Sequence, residues 1–385
     1  MSDLVPVSAT NPSVEGRIPA LDGFRGLAVL AVFVYHVALF GSIVPPHTAV
    51  DRVLSGILLH GWMGVDLFFV LSGFLITGIL LDARGEPGAL RRFYWRRLLR
   101  IVPAYYAALL VQVILLAWQG RVGEARLGWT ATWCTNVLLA REGWDRLVVT
   151  MHHFWSLAVE EQFYLLWPAV VLLLPRRAIP WISVAMVLAS SIVRVWLVQH
   201  DSVVASYVLL PARMDGLAVG AYLAWRVRQS DGLAGAARAC RIPALISALI
   251  LGALLAWRGK LAHGDPFMLA FGLNALMVLA GSMLVLGAAQ ADRGPVGWFL
   301  RLKWLRVLGK YSYALYLWHQ PVILWLVGAG FVAAAGAWLG GSFLGQLGLV
   351  AAAAGILSGA IVLVSWHVIE RPALRLKDRF SPPTP

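Results

Sequence analysis

Charge is scarce in this chain. Asp, Glu, Lys and Arg together make up 13% of its 385 residues, about half the share found in ordinary soluble domains. A solvated globular protein of this length is excluded, because the polar surface it would need is missing. Cysteine is nearly absent too. Cys134 and Cys240 are the only two, and the topology below puts them on opposite sides of a membrane, so no disulfide is expected. No metal-ligand spacing occurs, and no metal is expected. An apolar leader is also lacking. Residues 1–20 are polar and contain Pro6, Pro12 and Pro19, so the first membrane helix is expected to act as its own uncleaved insertion signal. There is no internal repeat and no separate soluble domain.

What the chain has instead is apolar length. It is 60% hydrophobic, with runs such as 246–257 and 347–364. The reading is an all-α polytopic membrane protein of about ten transmembrane helices. The spans are placed at 22–41, 61–81, 103–119, 153–174, 180–199, 209–225, 242–257, 267–290, 307–328 and 346–367. The third is short, and the Gly- and Ala-rich stretch 329–345 can extend its neighbours. The domain plan is a cytoplasmic tail at 1–17, a transmembrane domain at 18–377 and a C-terminal tail at 378–385. The 120–150 segment is the longest outer loop, and Trp129, Trp133 and Trp144 suit its membrane–water boundary.

The net charge of +13 is a topology signal rather than a nucleic-acid footprint, because the basic residues alternate between connections. One set holds Arg84, Arg91, Arg92, Arg96, Arg97 and Arg100. It continues with Arg176 and Arg177; Arg226, Arg228, Arg238 and Arg241; Arg293, Arg301, Lys303 and Arg306; and Arg371, Arg375, Lys377 and Arg379. The opposite connections are poorer, and 329–345 has none. The positive-inside rule puts the rich set and both termini in the cytoplasm. The expected location is the cytoplasmic (inner) membrane, and the bilayer is the first partner. The run 91–100 reads mainly as a head-group anchor.

Ionisable side chains inside membrane spans are costly and mark functional candidates. In "LDGFRGLAVLAVFVYH", Arg25 and His36 are eleven residues apart, which puts them on one helical face about 16 Å from each other. Asp66 enters the second span from outside. In "HHFWSLAVEEQFYLLWP", His152, Ser156 and Glu160 form one stripe, while Glu161 points about 100° away. The expectation is that Glu160 faces a cavity and Glu161 is tied to a neighbouring helix; which one turns inward depends on a rotation that spacing does not carry. Arg213 and Asp215 enter the sixth span from outside, and Tyr313, Tyr316, His319 and Gln320 lie near the middle of the ninth. His36, Asp66, Glu160, Arg213 and Asp215 are expected to share the outer half, with Arg25 at the inner mouth of one cavity.

Each residue also has a structural reading. His36 can be a helix–helix contact, Asp66 a capping carboxylate, and Arg213 with Glu160 an ion pair. His319 can be a packed polar contact. His152, His153, His47, His60, His200 and His263 read as solvated.

The stretches "IPALDGFRGLAVLAVFVYH", "GVDLFFVLSGFLIT", "FYWRRLLRIVPAYY", "HFWSLAVEEQFYLLWP", "RMDGLAVGAYLA", "LGKYSYALYLWHQPV" and "IERPALRL" resemble, in order, the acyltransferase-3 family of integral-membrane O-acyltransferases. The match to "RMDGLAVGAYLA" is looser than the others. The resemblance implies about ten helices and transfer of an acyl group, commonly acetyl, from cytosolic acyl-CoA to a hydroxyl, usually on a carbohydrate such as a cell-surface or lipid-linked glycan. Acyl-CoA is a donor substrate, and no permanently bound cofactor is expected. The family's Arg-x10-His motif falls on Arg25 and His36, its second-span aspartate on Asp66, and its EEQF carboxylates on Glu160 and Glu161. Some members append an esterase-like domain; this chain ends soon after "IERPALRLKDRF" and is expected to work without one or with a separate partner. Oligomeric state is left open.

The expected mechanism makes His36 a general base, with Asp66 or Glu160 holding its imidazole. Arg25 binds a donor phosphate, with Arg96 and Arg97 as further donor-binding candidates. Ser72, Ser156, Arg213, Asp215, Tyr316 and His319 are acceptor-side or structural polar groups, and Trp155, Tyr164 and Trp318 offer faces for a sugar. Direct transfer is preferred over an acyl-enzyme, with Ser72 and Ser156 the serines to test. The competing class is a secondary transporter using the buried His, Asp, Glu and Arg as a proton relay. A structural membrane protein is the third.

Overall fold

The computed structural model describes residues 19–42, 44–290 and 294–376. The expected tails, 1–17 and 378–385, lie outside the described residues, as do the domain limits 18 and 377 and the basic residues Arg293, Lys377 and Arg379. Among the described residues there is no strand. Among the same residues, nine helical segments are long and apolar enough to cross a bilayer, and the pair Ser312–Gly328 and Phe331–Trp338, bent by 66°, makes ten if it is counted as one span. We label the principal helices α1 (Pro19–Phe40), α2 (Met63–Asp82), α3 (Ala89–Trp118), α4 (Phe154–Leu173) and α5 (Ile179–Gln199). They continue as α6 (Leu210–Arg226), α7 (Gly232–Arg258), α8 (Leu273–Ala289), α9 (Ser312–Gly328) and α10 (Phe343–Ser365). The chain is thus an all-α polytopic membrane protein.

Two differences from the sequence reading bear on function. The third span is not a short segment at 103–119. It is the far part of a 30-residue helix that continues through Pro103, so the run 91–100 belongs to the same helix as the span. Phe93, Leu99, Ile101 and Ala104 are buried in it, while Arg91, Arg96 and Arg100 are exposed. The 120–150 segment is not an open loop. Its short helices Leu127–Thr130 and Thr135–Glu142 fold over α3 and α4, pinned by Tyr105, whose hydroxyl donates to the Thr130 carbonyl at 2.6 Å and whose ring stacks on Trp133 at 3.6 Å. Trp133 is therefore a packing residue of this cover.

Lipid tails are as apolar as leucine, so membrane helices associate through close packing, and small residues permit it. A Cβ on Gly73 of α2 would lie 1.9 Å from the Leu217 carbonyl oxygen of α6, and one on Gly220 of α6 would lie 2.1 Å from the Val70 oxygen of α2. On α1, a Cβ on Gly26 would lie 2.0 Å from the Leu305 oxygen in the short helix Lys303–Lys310, and one on Gly309 would lie 1.8 Å from the Asp22 oxygen. This contact fixes the rotation of α1 and leaves Arg25 and His36 together on another face. Gly73→Ala must push α2 from α6, and overpacking of this kind costs about 1–3 kcal/mol. A clear fall in melting temperature in detergent is expected for it. Gly348→Ala, at a position with nothing within 4 Å, serves as the control; equal melting of the two variants would show that the α2–α6 approach is not under strain.

Candidate active site

Two chambers meet inside the bundle. The inner one, toward the basic end, has a volume of about 80 Å³ and is lined by Arg25, Ser72, Arg97, Arg100, Ser156, Glu160, Tyr164, Tyr313 and Tyr316 among others. The outer one is larger, about 250 Å³, and carries His36 with Tyr35, Trp62, Trp144, Trp155 and Tyr207, and with His152, His153, His263 and Gln320. Val65 and Tyr316 line both chambers. They form the septum, where the Tyr316 hydroxyl lies 2.6 Å from Ser156 Oγ.

The inner chamber is an anion site by composition. Three guanidinium groups, from Arg25, Arg97 and Arg100, face one carboxylate, Glu160. Its Oε1 accepts from Ser72 Oγ at 2.7 Å, and Ser72 Oγ accepts from the Tyr164 hydroxyl at 2.9 Å. The Arg97 guanidinium lies 4.3 Å above the Tyr164 ring, while Arg25 Nη1 is 3.4 Å from Asp22 Oδ1. These groups come from α1, α2, α3 and α4, which is why no short motif contains them. Arg96, the neighbour of Arg97, is exposed and does not line the chamber. Arg100 does, although its place in the basic run suggested an anchor.

Glu160 is thus a wall of the inner chamber rather than a member of an outer-half cluster. The stripe His152, Ser156 and Glu160 runs from the outer chamber through the septum to the inner one. Glu161 lies in the electrostatic field of Arg97 on α3 and makes no hydrogen bond or ion pair among the described residues.

His36 lies in the outer chamber against other histidines. Its Nδ1 is 2.9 Å from the Val32 carbonyl oxygen and 3.1 Å from His319 Nε2. His153 stands on the other side of His319, with ring centroids 5.6 Å apart. Its Nε2 is 3.2 Å from the Leu317 carbonyl oxygen. Pro321, inside α9, has no N–H to bond that carbonyl, which sits four residues before it. The proline thus frees an acceptor that His153 takes. His153 is buried rather than solvated, while His263 is half-buried and lines the outer chamber. His263 Nε2 is 3.5 Å from the Tyr35 hydroxyl, and its ring stacks on Tyr207 at 4.8 Å. Burial, then the charge of Arg213, lowers the His263 pKa below its usual value. That keeps a neutral imidazole in the wall. Of the proposed stacking aromatics, Trp155 lines the outer chamber, Tyr164 the inner one, and Trp318 neither.

Asp66 does not reach His36. It is fully buried and ion-paired with Arg213, so Arg213 is also not the partner of Glu160. Helix rotation decides this: the α2 face that bears Asp66 is the one pressed on α6. Arg213 Nε and Nη1 have no hydrogen-bond partner among the described residues, but the guanidinium lies 5.0 Å from the Tyr207 ring centre and 5.5 Å from that of Phe69. Asp215 likewise turns to Arg194, at 2.8 Å. Arg194, which spacing did not single out although it is an arginine in an apolar span, also donates to the Leu269 carbonyl at 2.7 Å and to Asn274 Oδ1 at 2.5 Å. This network joins α2, α5, α6 and α8 and lines neither chamber.

The profile described as "Acyltransferase domain" matches residues 18–366. Among curated proteins, the chain is 27% identical over 335 residues to the peptidoglycan O-acetyltransferase OatA of Listeria monocytogenes, covering 80% of this chain and 49% of that protein. It is 27% identical over 330 residues to the O-acetyltransferase OatA of Staphylococcus aureus, covering 80% and 51%. It is also 27% identical over 329 residues to the putative peptidoglycan O-acetyltransferase YrhL of Bacillus subtilis, covering 80% and 49%. The chain therefore spans about half the length of the curated relatives it matches. No solved structure matches it.

Proposed function

The chain belongs to the acyltransferase-domain family matched over residues 18–366, and on that premise we propose that it is an integral-membrane O-acyltransferase of the inner membrane. It moves an acyl group, acetyl by analogy with its relatives, from cytosolic acyl-CoA to a hydroxyl of a cell-wall glycan. The observation that carries this reading is the meeting of an arginine-lined and a histidine-lined chamber at one septum, Tyr316 with Val65.

The steps follow from the geometry. Arg25, Arg97 and Arg100 hold the donor's phosphates, as guanidinium groups do through paired hydrogen bonds. The narrow inner chamber suits an extended pantetheine arm, which carries the thioester to the septum. The wider outer chamber, with Trp62, Trp144 and Trp155, offers apolar faces to a sugar ring. His36 Nε2 takes the proton of the acceptor hydroxyl. The oxygen attacks the thioester carbon, the C–S bond breaks, and the departing thiolate takes the proton back from His36. Nothing in this route requires an acyl-enzyme.

The test uses protein in proteoliposomes, acetyl-CoA labelled in the acetyl group, and peptidoglycan fragments or lipid-linked glycan. Label is expected on the glycan. Solute flux with neither transfer nor thioester hydrolysis would favour a transporter instead. In the same assay Arg25→Gln is expected to raise the donor KM by about 10–100-fold, the size of a lost charge-assisted hydrogen bond, with Arg25→Lys milder. An unchanged donor KM would remove the phosphate role of Arg25.

A further inference from the structure

We infer that His319 is the positioning partner of His36, in the place that a carboxylate holds in a catalytic triad. The inference rests on the proposed role of His36 as general base.

The hydrogen bonds assign the protons. His319 Nδ1 lies 2.8 Å from the Tyr316 carbonyl oxygen and 3.1 Å from that of Leu315. Carbonyl oxygens only accept, so Nδ1 of His319 carries the hydrogen, and in the neutral ring its Nε2 presents a lone pair. That lone pair faces His36 Nδ1 at 3.1 Å. His36 Nδ1 thus meets two acceptors, His319 Nε2 and the Val32 oxygen, and must itself carry the hydrogen. The one lone pair left to His36 is on Nε2, the atom required to take a proton from an acceptor hydroxyl. The chain of donors runs from His36 Nδ1–H to His319 Nε2, and from His319 Nδ1–H to the α9 backbone.

Asp66 and Glu160 are the carboxylates that the sequence offers for this support. Asp66 is bonded to Arg213 and Glu160 to Ser72, so neither carboxylate is available. A neutral imidazole has a physical advantage at this depth: it orients His36 without placing a second charge in a low-dielectric site, where an isolated ion is expensive. When His36 becomes an imidazolium, Nδ1–H stays bonded to His319 Nε2, and the developing charge is stabilised through that bond. His153 also packs on His319 by ring contact and does not compete for its Nε2: with Nε2–H donated to the Leu317 oxygen, the Nδ1 of a neutral ring has no hydrogen to offer.

The experiment compares His319→Phe, His319→Gln and His36→Ala in the transfer assay, with detergent melting curves for each. Phe keeps the ring volume and removes the acceptor. Gln places its amide oxygen where Nε2 was and can still accept from His36 Nδ1–H. His319→Phe is expected to lower kcat by about 10–100-fold, the range for loss of a group that orients a functional histidine, with the donor KM unchanged. His319→Gln is expected to recover most of that loss. Equal losses in Phe and Gln that track a fall in melting temperature would assign His319 a structural role only and overturn the inference. So would near-wild-type kcat in His319→Phe while His36→Ala is inactive. Retained turnover in His36→Ala is a different outcome: it would remove the general base itself.

Discussion

His36→Ala is expected to abolish measurable acyl transfer while leaving folded protein at the wild-type level. General-base catalysis contributes about 10²–10⁴-fold to rate, and His36 is the group assigned to it in the proposed route. The side chain has little structural work to do, since its bonds are those to the Val32 carbonyl and to His319. Mass spectrometry of total cell glycans and lipids, comparing wild type with His36→Ala at equal expression, reads the result directly. Loss of one acyl mass from one glycan class would identify acyl group and acceptor together. Glycans that are acylated to the same extent in both strains would mean that His36 is not the base.

Asp66→Ala is expected to act on stability first. It leaves Arg213 fully buried with a charge and no counter-ion, and breaking a buried pair from one side costs about 3–5 kcal/mol. A large fall in melting temperature in detergent should follow, with reduced yield of folded protein. Replacing both partners, as in Asp66→Leu with Arg213→Met, removes the stranded charge and is expected to recover much of the loss, because apolar replacement of a whole buried pair is often close to neutral. If Asp66→Ala melts like wild type but is inactive, Asp66 belongs to the chemistry after all, as its position in the family motif implies.

The two predictions separate residues that looked alike in the sequence. His36 and Asp66 are both ionisable groups in apolar spans, estimated to lie at similar depth. Their partners distinguish them, and those partners lie 283 and 147 positions away in the chain. The pairing of Asp66 with Arg213 follows from the α2–α6 approach at Gly73 and Gly220, which no spacing within α2 reveals. Arg100 reads as one more anchoring arginine until the tertiary structure brings it to the inner chamber with Arg25 and Glu160. His153 follows His152 in a polar pair at a span boundary, and burial beside His319 depends on a carbonyl that Pro321 sets free one helix away.

What was legible from the chain alone is what depends on short windows: the helices, most of their approximate limits, and the shared face of Arg25 and His36. Membrane insertion responds to hydropathy accumulated over about 20 residues, and the position of two residues on one helix follows from its rise and turn. What the tertiary structure decided is which polar groups meet. Each residue step turns a side chain by about 100°, so a small rotation of a helix changes which group faces a chamber and which faces a neighbour. Those rotations are set by close contacts between helices distant in sequence, Gly26 with Leu305 and Gly73 with Leu217. The first sets the rotation of α1, whose His36 meets His319, and the second that of α2, whose Asp66 meets Arg213.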